Sequence, residues 1–315
     1  MSVQSAQIQP NRRKGRALIN RRKNWQYLLL CAPSVIGYIF FHFVPLAGII
    51  MPFTKYTYRD GIFGSKWVGL KNFTTLFRSP AFGKLIRNTV AYSTSFIIIG
   101  HVIAIFTALM LYELSSKRLK KLYQTSMMIP NFLSWVIVGY VTYAILHPSF
   151  GFLRQIRDAM NLPYYDVYTD PTWWPLILTL TAIWKGMNGY LTYYACLMGI
   201  DPTLYEAAVI DGATRWQQRR YVSLPALVPL ITLFLISAVA GIFSNDFGLF
   251  YTIPRNVGLL YETTDVINTY VYRGLQNGSF LQSSAIGLMQ SAIGTILLIS
   301  TNAIVRKVSP ENSMF

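Results

Sequence analysis

Residues 204–229 read LYEAAVIDGATRWQQRRYVSLPALVP, a polar and interrupted stretch set between two long apolar runs, roughly 173–197 and 224–243. Each run is long enough to cross the hydrocarbon core of a bilayer, about 30 Å thick, so the stretch between them is predicted to be a loop at a membrane surface. The loop has internal order. Asp201 can cap a helix whose first position is Pro202, where the missing N–H costs nothing. Glu206, Ala207 and Ala208 continue that helix, and Asp211-Gly212 supplies the residue types that end one. A second helical start follows at Thr214, and Arg215, Arg219 and Arg220 restore charge before Pro225 and Pro229. The expected product is a short helix, a sharp turn and a second helix, suspended from a span on either side.

The rest of the composition agrees with a membrane location. Hydrophobic residues make up 53% of the 315 and charged residues only 13%, and the apolar residues come in blocks rather than in the periodic stripes of a soluble helix. The net charge of +16 raises nucleic acid as a partner, but the basic residues flank apolar blocks instead of lining one soluble face, which excludes that class. Cys31 and Cys196 fall inside apolar runs and read as small buried hydrophobes. His42, His101 and His147 lack metal-ligand spacing, so no metal site is expected.

Taken in order, the chain divides into a basic tail (1–24), a membrane domain (25–305) and a short C-terminal tail (306–315). Arg12, Arg13, Lys14, Arg16, Arg21, Arg22 and Lys23 should hold the tail in the cytoplasm. The first apolar run, 27–51, is too long for a signal core and has no small-x-small cleavage site, so it is expected to be retained. A second span is predicted over 89–112, followed by a basic loop with Lys117, Arg118, Lys120 and Lys121. The third, 123–146, is interrupted by Pro130-Asn131, and the outer loop after it has room for a small helix near 152–160. The fourth and fifth spans flank the 204–229 stretch. A sixth, 284–305, carries Gly287, Ser291 and Thr295 on one stripe, a face suited to close packing within the subunit or against another. The expected fold is thus all-α and integral to the membrane, with six transmembrane helices and both termini cytoplasmic.

Lys185 stands out inside the fourth span. Counted from Trp174 at about 1.5 Å per residue it lies roughly 16 Å deep, near the midplane. A lysine there costs roughly 2.5–3.5 kcal/mol on insertion scales and should face a cavity or a partner. Trp184, Asn188 and Tyr193 are close by in sequence, and Asn245 and Asp246 end the fifth span. Aromatic faces beside amide, ammonium and carboxylate groups inside apolar spans make these six candidates for the path of a polar substrate. A structural ion pair or a snorkelling lysine is the alternative use of Lys185.

The order Glu206-Ala207-Ala208, Asp211-Gly212-Ala213, Leu224-Pro225 and Pro229 resembles the EAA loop of the permease subunits of binding-protein-dependent ABC importers. Arg219 stands where that family often carries an aromatic residue. Trp67-Val68-Gly69-Leu70-Lys71-Asn72-Phe73 resembles the segment after the first span in the carbohydrate-importing, MalF/UgpA-type permeases. The segment from Thr263-Thr264-Asp265 to Gln276-Asn277-Gly278 is similar to the LplB-like group, which handles oligo- and polysaccharide fragments. The resemblance implies a type I importer permease in a bacterial cell membrane, working with a second and often different permease, two ATPase subunits and an extracytoplasmic solute-binding protein. It also makes 201–220 the cytoplasmic coupling loop, with Glu206, Ala207, Ala208, Asp211 and Gly212 meeting the ATPase.

No stretch reads G-x-x-x-x-G-K-[ST], and no H-E-x-x-H or nucleophile elbow occurs, so ATP and Mg are expected on partner subunits and no catalytic residue on this chain. The rival class is an ion-coupled secondary transporter or a membrane receptor working without an ATPase. An ion-coupled carrier needs intramembrane carboxylates, and Asp246 alone lies near a span.

Overall fold

In the computed structural model, which describes residues 13–186 and 189–314, the described residues of the long apolar runs are mainly helical. Residues 1–12 of the basic tail lie outside the described residues. Helix α1 (Arg13–Tyr38) passes through a π turn at Ile39–Phe43 into a 3-10 segment, Val44–Phe53. A small antiparallel ribbon follows, β1 (Thr54–Lys55) and β2 (Lys66–Trp67), with α2 (Gly61–Gly64) between its strands. Then come α3 (Lys71–Phe77) and the unbroken α4 (Pro80–Glu113). Next are α5 (Lys117–Phe132), α6 (Trp135–Leu146) and α7 (Phe152–Ala159), the last lying where the sequence left room for a small helix. Helices α8 (Trp174–Gly186) and α9 (Tyr190–Met198) occupy the fourth predicted span, on either side of residues 187 and 188. After them stand α10 (Pro202–Ile210), α11 (Arg215–Gln218), a π turn at Arg219–Ser223 and α12 (Leu224–Ala240). The chain closes with α13 (Phe247–Thr252), α14 (Tyr261–Thr264), α15 (Ile267–Gln276) and α16 (Phe280–Val308).

Among the described residues four stretches are continuous, apolar and long enough to cross a bilayer, Trp25–Phe53, Pro80–Glu113, Arg215–Ala240 and Phe280–Val308, and the bent pair α5–α6 makes a fifth if it is taken as one span. At most 22% of the apolar window of any of the four is buried inside the chain, and none of the first. Apolar side chains turned outward over whole helices are suited to lipid or to a partner, not to water.

Several boundaries differ from the sequence reading. Lys117 to Lys121 form no loop; Ser116 accepts a hydrogen bond from the Leu119 N–H and starts α5 directly at Lys117. The break in the third span comes after the proline, not at it. The Leu133 N–H still reaches the Pro130 carbonyl at 3.2 Å, and the chain turns by 96° only where Ser134 caps α6 through the Ile137 N–H. The second half of the 204–229 stretch is not a loop either, since helix runs from Arg215 through the π turn into α12. On α16 the stripe Gly287, Ser291, Thr295 is left open by the rest of the chain, and Gly294 makes the close approach instead. A Cβ there would stand 2.9 Å from the Ala240 carbonyl oxygen.

Three apolar clusters hold the bundle. One joins α4, α6, α8 and α13 around Tyr92, Trp174 and Phe250; a second joins α4, α9 and α12 around Leu109, Tyr190 and Leu227; a third sets α16 against α3, α4 and α15. Helix α4 belongs to all three.

Candidate functional site

The 96° break between α5 and α6 places Trp135 at the inner edge of a cavity of about 490 Å³. The middle of α4, from Ser93 to Ala104, forms one wall, and α8 and the end of α12 with the start of α13 form the others. The Trp135 indole N–H donates to Asp246 Oδ2 at 2.7 Å, and Asp246 Oδ1 caps α13 by accepting from the Gly248 N–H at 2.8 Å. Only glycine fits at 248, because a Cβ would stand 2.2 Å from Trp135 Cδ1. The Lys185 ammonium lies 4.9 Å from the centre of the same indole ring and donates to the Asn131 carbonyl at 3.3 Å. Cation, aromatic face and carboxylate therefore meet on one side chain, and among the described residues Lys185 has no carboxylate partner.

Of the predicted path residues, Lys185, Asn245 and Asp246 line this cavity. Asn245 is buried and held by three bonds: it accepts from Ser93 Oγ at 3.0 Å, donates to the Thr89 carbonyl at 3.3 Å, and its carbonyl accepts from Asn268. Trp184 and Tyr193 stand elsewhere. A helix that shows Lys185 to the cavity turns its neighbour Trp184 away, and Trp184 is half exposed on the outer surface. Tyr193 packs at 2% exposure between His101 and Phe234 in the α4/α9/α12 cluster. Asn188 lies outside the described residues. Trp135 and Gly248 went unnoticed in the sequence, although Ser134 directly before a tryptophan, four residues after a proline, is a helix start that marks the break.

At one end of the bundle stand α10 and α11. Asp201 Oδ1 accepts from the Thr203 N–H at 3.0 Å and caps α10, and that bond holds its carboxyl below the usual range. Gly212 at φ 76 makes the turn, a conformation that a side chain would strain. Thr214 and Gln217 close a reciprocal capping box at the start of α11. Glu206, Ala207, Asp211 and Gly212 are exposed and Ala208 is half-buried. Glu206 makes no hydrogen bond or ion pair with the described residues. Around it Ile210 is 86% exposed, and Leu204, Val209 and Trp216 are more than half exposed. Carboxylates ringed by uncovered apolar side chains on a short, capped helix form a surface prepared for a partner.

Residues 97–310 match the family described as the binding-protein-dependent transport system inner membrane component. The polygalacturonan/rhamnogalacturonan transport system permease protein YteP of Bacillus subtilis (strain 168) is 32% identical over 95% of this chain and 93% of its own length. Protein LplB of the same organism is 29% identical over 92% of this chain and 91% of its own. A bacterial ABC transporter involved in the import of the acidic polysaccharide alginate has a solved chain that superposes with a TM-score of 0.82 at 30% identity. It covers 93% of this chain and 99% of the solved one. The chain belongs to this family of inner-membrane permeases of binding-protein-dependent importers.

Proposed function

We propose that the carbohydrate carried by this permease is an acidic oligosaccharide, that it passes through the cavity at Lys185, and that ATP hydrolysis on separate subunits drives it. The observation that carries this reading is the Lys185 ammonium, half-buried in the cavity wall, which among the described residues bonds a carbonyl and faces an indole. A half-buried cation with no carboxylate beside it is a ready partner for an anionic ligand. The indole offers the flat apolar surface on which a sugar ring stacks. The names of the two similar proteins support the choice, since polygalacturonan and alginate are both polyanions. Asp246 is committed to Trp135 and to the α13 cap, which makes it a poor carrier of a coupling ion.

In this reading α10 faces the cytoplasm, both termini lie on that side, and six spans complete the topology. Two ATPase subunits, which bind ATP and Mg, dock against Glu206, Ala207, Ala208, Asp211 and Gly212. A second permease, a different chain, covers the open side of the bundle, and a solute-binding protein delivers the sugar from outside. Closure of the ATPase dimer moves α10 and shifts the bundle between inward-facing and outward-facing states.

Uptake of uronate oligomers and of neutral oligosaccharides of equal length, measured in proteoliposomes with all subunits present, tests the substrate. Lys185→Ala is expected to lower uptake of the acidic oligomer about tenfold, the order of one charge-assisted bond, and to spare the neutral one. Equal uptake of the acidic oligomer by variant and parent overturns the assignment.

A further inference from the structure

Glu113 is the last residue of α4, and Arg219 opens the π turn at the foot of α12. The Arg219 Nε and one terminal nitrogen each donate to a different oxygen of the Glu113 carboxylate, and both side chains are only a quarter exposed. Two parallel bonds fix orientation as well as distance, which a single surface contact does not. Beside this pair, Tyr205 of α10 shares a hydrogen bond with Ser223 Oγ at 2.8 Å, and its ring lies 5.7 Å from that of Tyr112 on α4. The start of α12, the exposed α10 and the tip of α4 are thereby closed into a triangle. The residues of α4 that line the cavity, Ser93 to Ala104, follow upstream on the same unbroken helix.

We infer that the Glu113–Arg219 pair is a strut that transmits movement of the α10–α11 segment to α4 and so to the cavity wall, with both side chains acting as positioning residues. The inference rests on the reading of α10 as the surface on which the ATPase acts. Without the pair, the tip of α4 keeps its contact with α10 through Tyr112 and Tyr205 and its apolar packing against α12, neither of which fixes orientation as two parallel charged bonds do. The π turn, whose i→i+5 bonds depart from regular helix geometry, then becomes a place where α12 can yield without moving α4. The segment still docks, but its displacement is spent in the turn.

The test uses the complete transporter, with its partner permease, ATPase subunits and binding protein, in proteoliposomes. Uptake per ATP hydrolysed is compared for the parent, Arg219→Ala, Glu113→Gln and the exchange Glu113→Arg/Arg219→Glu. The single variants are expected to retain the ATPase subunits on purification while uptake per ATP falls about tenfold, a coupling loss of ordinary size. The exchange is expected to recover most of that loss, since it restores the pair with reversed polarity. An unchanged ratio in the single variants overturns the strut, and so does an exchange that is as uncoupled as they are. Glu206→Lys, measured in parallel, probes the docking reading separately. If Glu206→Lys leaves the ATPase bound and stimulated, the docking reading has failed; if it releases the ATPase while Arg219→Ala and Glu113→Gln stay fully coupled, the strut alone has failed.

Discussion

The two ends of the bundle are built on opposite terms. At the α13–α15 end, polar groups are buried and nearly all are answered. Asn88 donates to the carbonyls of Glu262 and Asp265 at 3.0 and 3.1 Å, Tyr92 donates to the Thr263 carbonyl at 2.8 Å, and Thr89 Oγ1 accepts from the Ile267 N–H at 3.1 Å. Asp265, itself 5% exposed, takes bonds from Thr269 and Arg273. At the α10–α11 end, carboxylates and large apolar side chains stand in the open, and a handful of contacts tie the segment to its neighbours. A fully satisfied polar network inside a low-dielectric interior specifies one arrangement and resists any other. A sparsely tied helix can be displaced as a unit. The contrast teaches which end of the molecule is the frame and which is the handle.

The largest effect should come from breaking the frame. Asp265→Ala takes the carboxylate from a largely buried pair and leaves the Arg273 guanidinium with only Asn256 and the Tyr261 ring among the described residues, and breaking such a pair costs about 3 kcal/mol. A large drop in the thermal midpoint in detergent is expected, and a midpoint close to that of the parent means the network is dispensable. Tyr205→Phe sharpens the other side. It deletes one hydroxyl at the handle and should cost no more than about 1 kcal/mol of stability, read from the same melting curves. A loss as large as that of Asp265→Ala erases the distinction between the ends.

The smallest effect is the pH response at the rim of the frame. The Arg87 hydrogen bond, and then the Lys84 charge, hold the Glu262 carboxyl below its ordinary value of 4.5. A lowered carboxyl pKa contributes stability that is present above 4.5 and is lost as pH falls through the lowered value. Hydrogen-exchange protection at α14, taken relative to the intrinsic exchange rate at each pH, should therefore be flat from neutral pH down to about 4.5 and fall only below it. A loss of protection that begins near neutrality assigns the response to some other group.

Much of this was legible in the sequence because membrane helices are written in uninterrupted apolar blocks and helix ends in particular residue types. Asp201-Pro202, Asp211-Gly212 and Thr214 gave the boundaries of α10 and the start of α11. Lys185 announced itself by its cost. What was not legible depends on contacts between distant segments. Arg219 looked like an irregularity in a familiar loop until Glu113, far upstream, supplied the reason for it. Tyr193 and Lys185 read alike as polar groups in one span, and only the packing of α9 against α4 and α12 sent the tyrosine into the core. Trp135 was indistinguishable from an interfacial tryptophan before the turn at Ser134 aimed it at the cavity.

Helix α4 is 34 residues long, which at 1.5 Å per residue is about 50 Å, well beyond the apolar thickness of a bilayer at about 30 Å. It is latched into the frame near one tip and pinned to the handle at the other, and it contains no interior proline. Such a rod ties the two ends of the bundle together without a break along its length. Its one mid-helix glycine, Gly100, stands on the cavity wall, so the point at which the rod bends most easily lies beside the cavity.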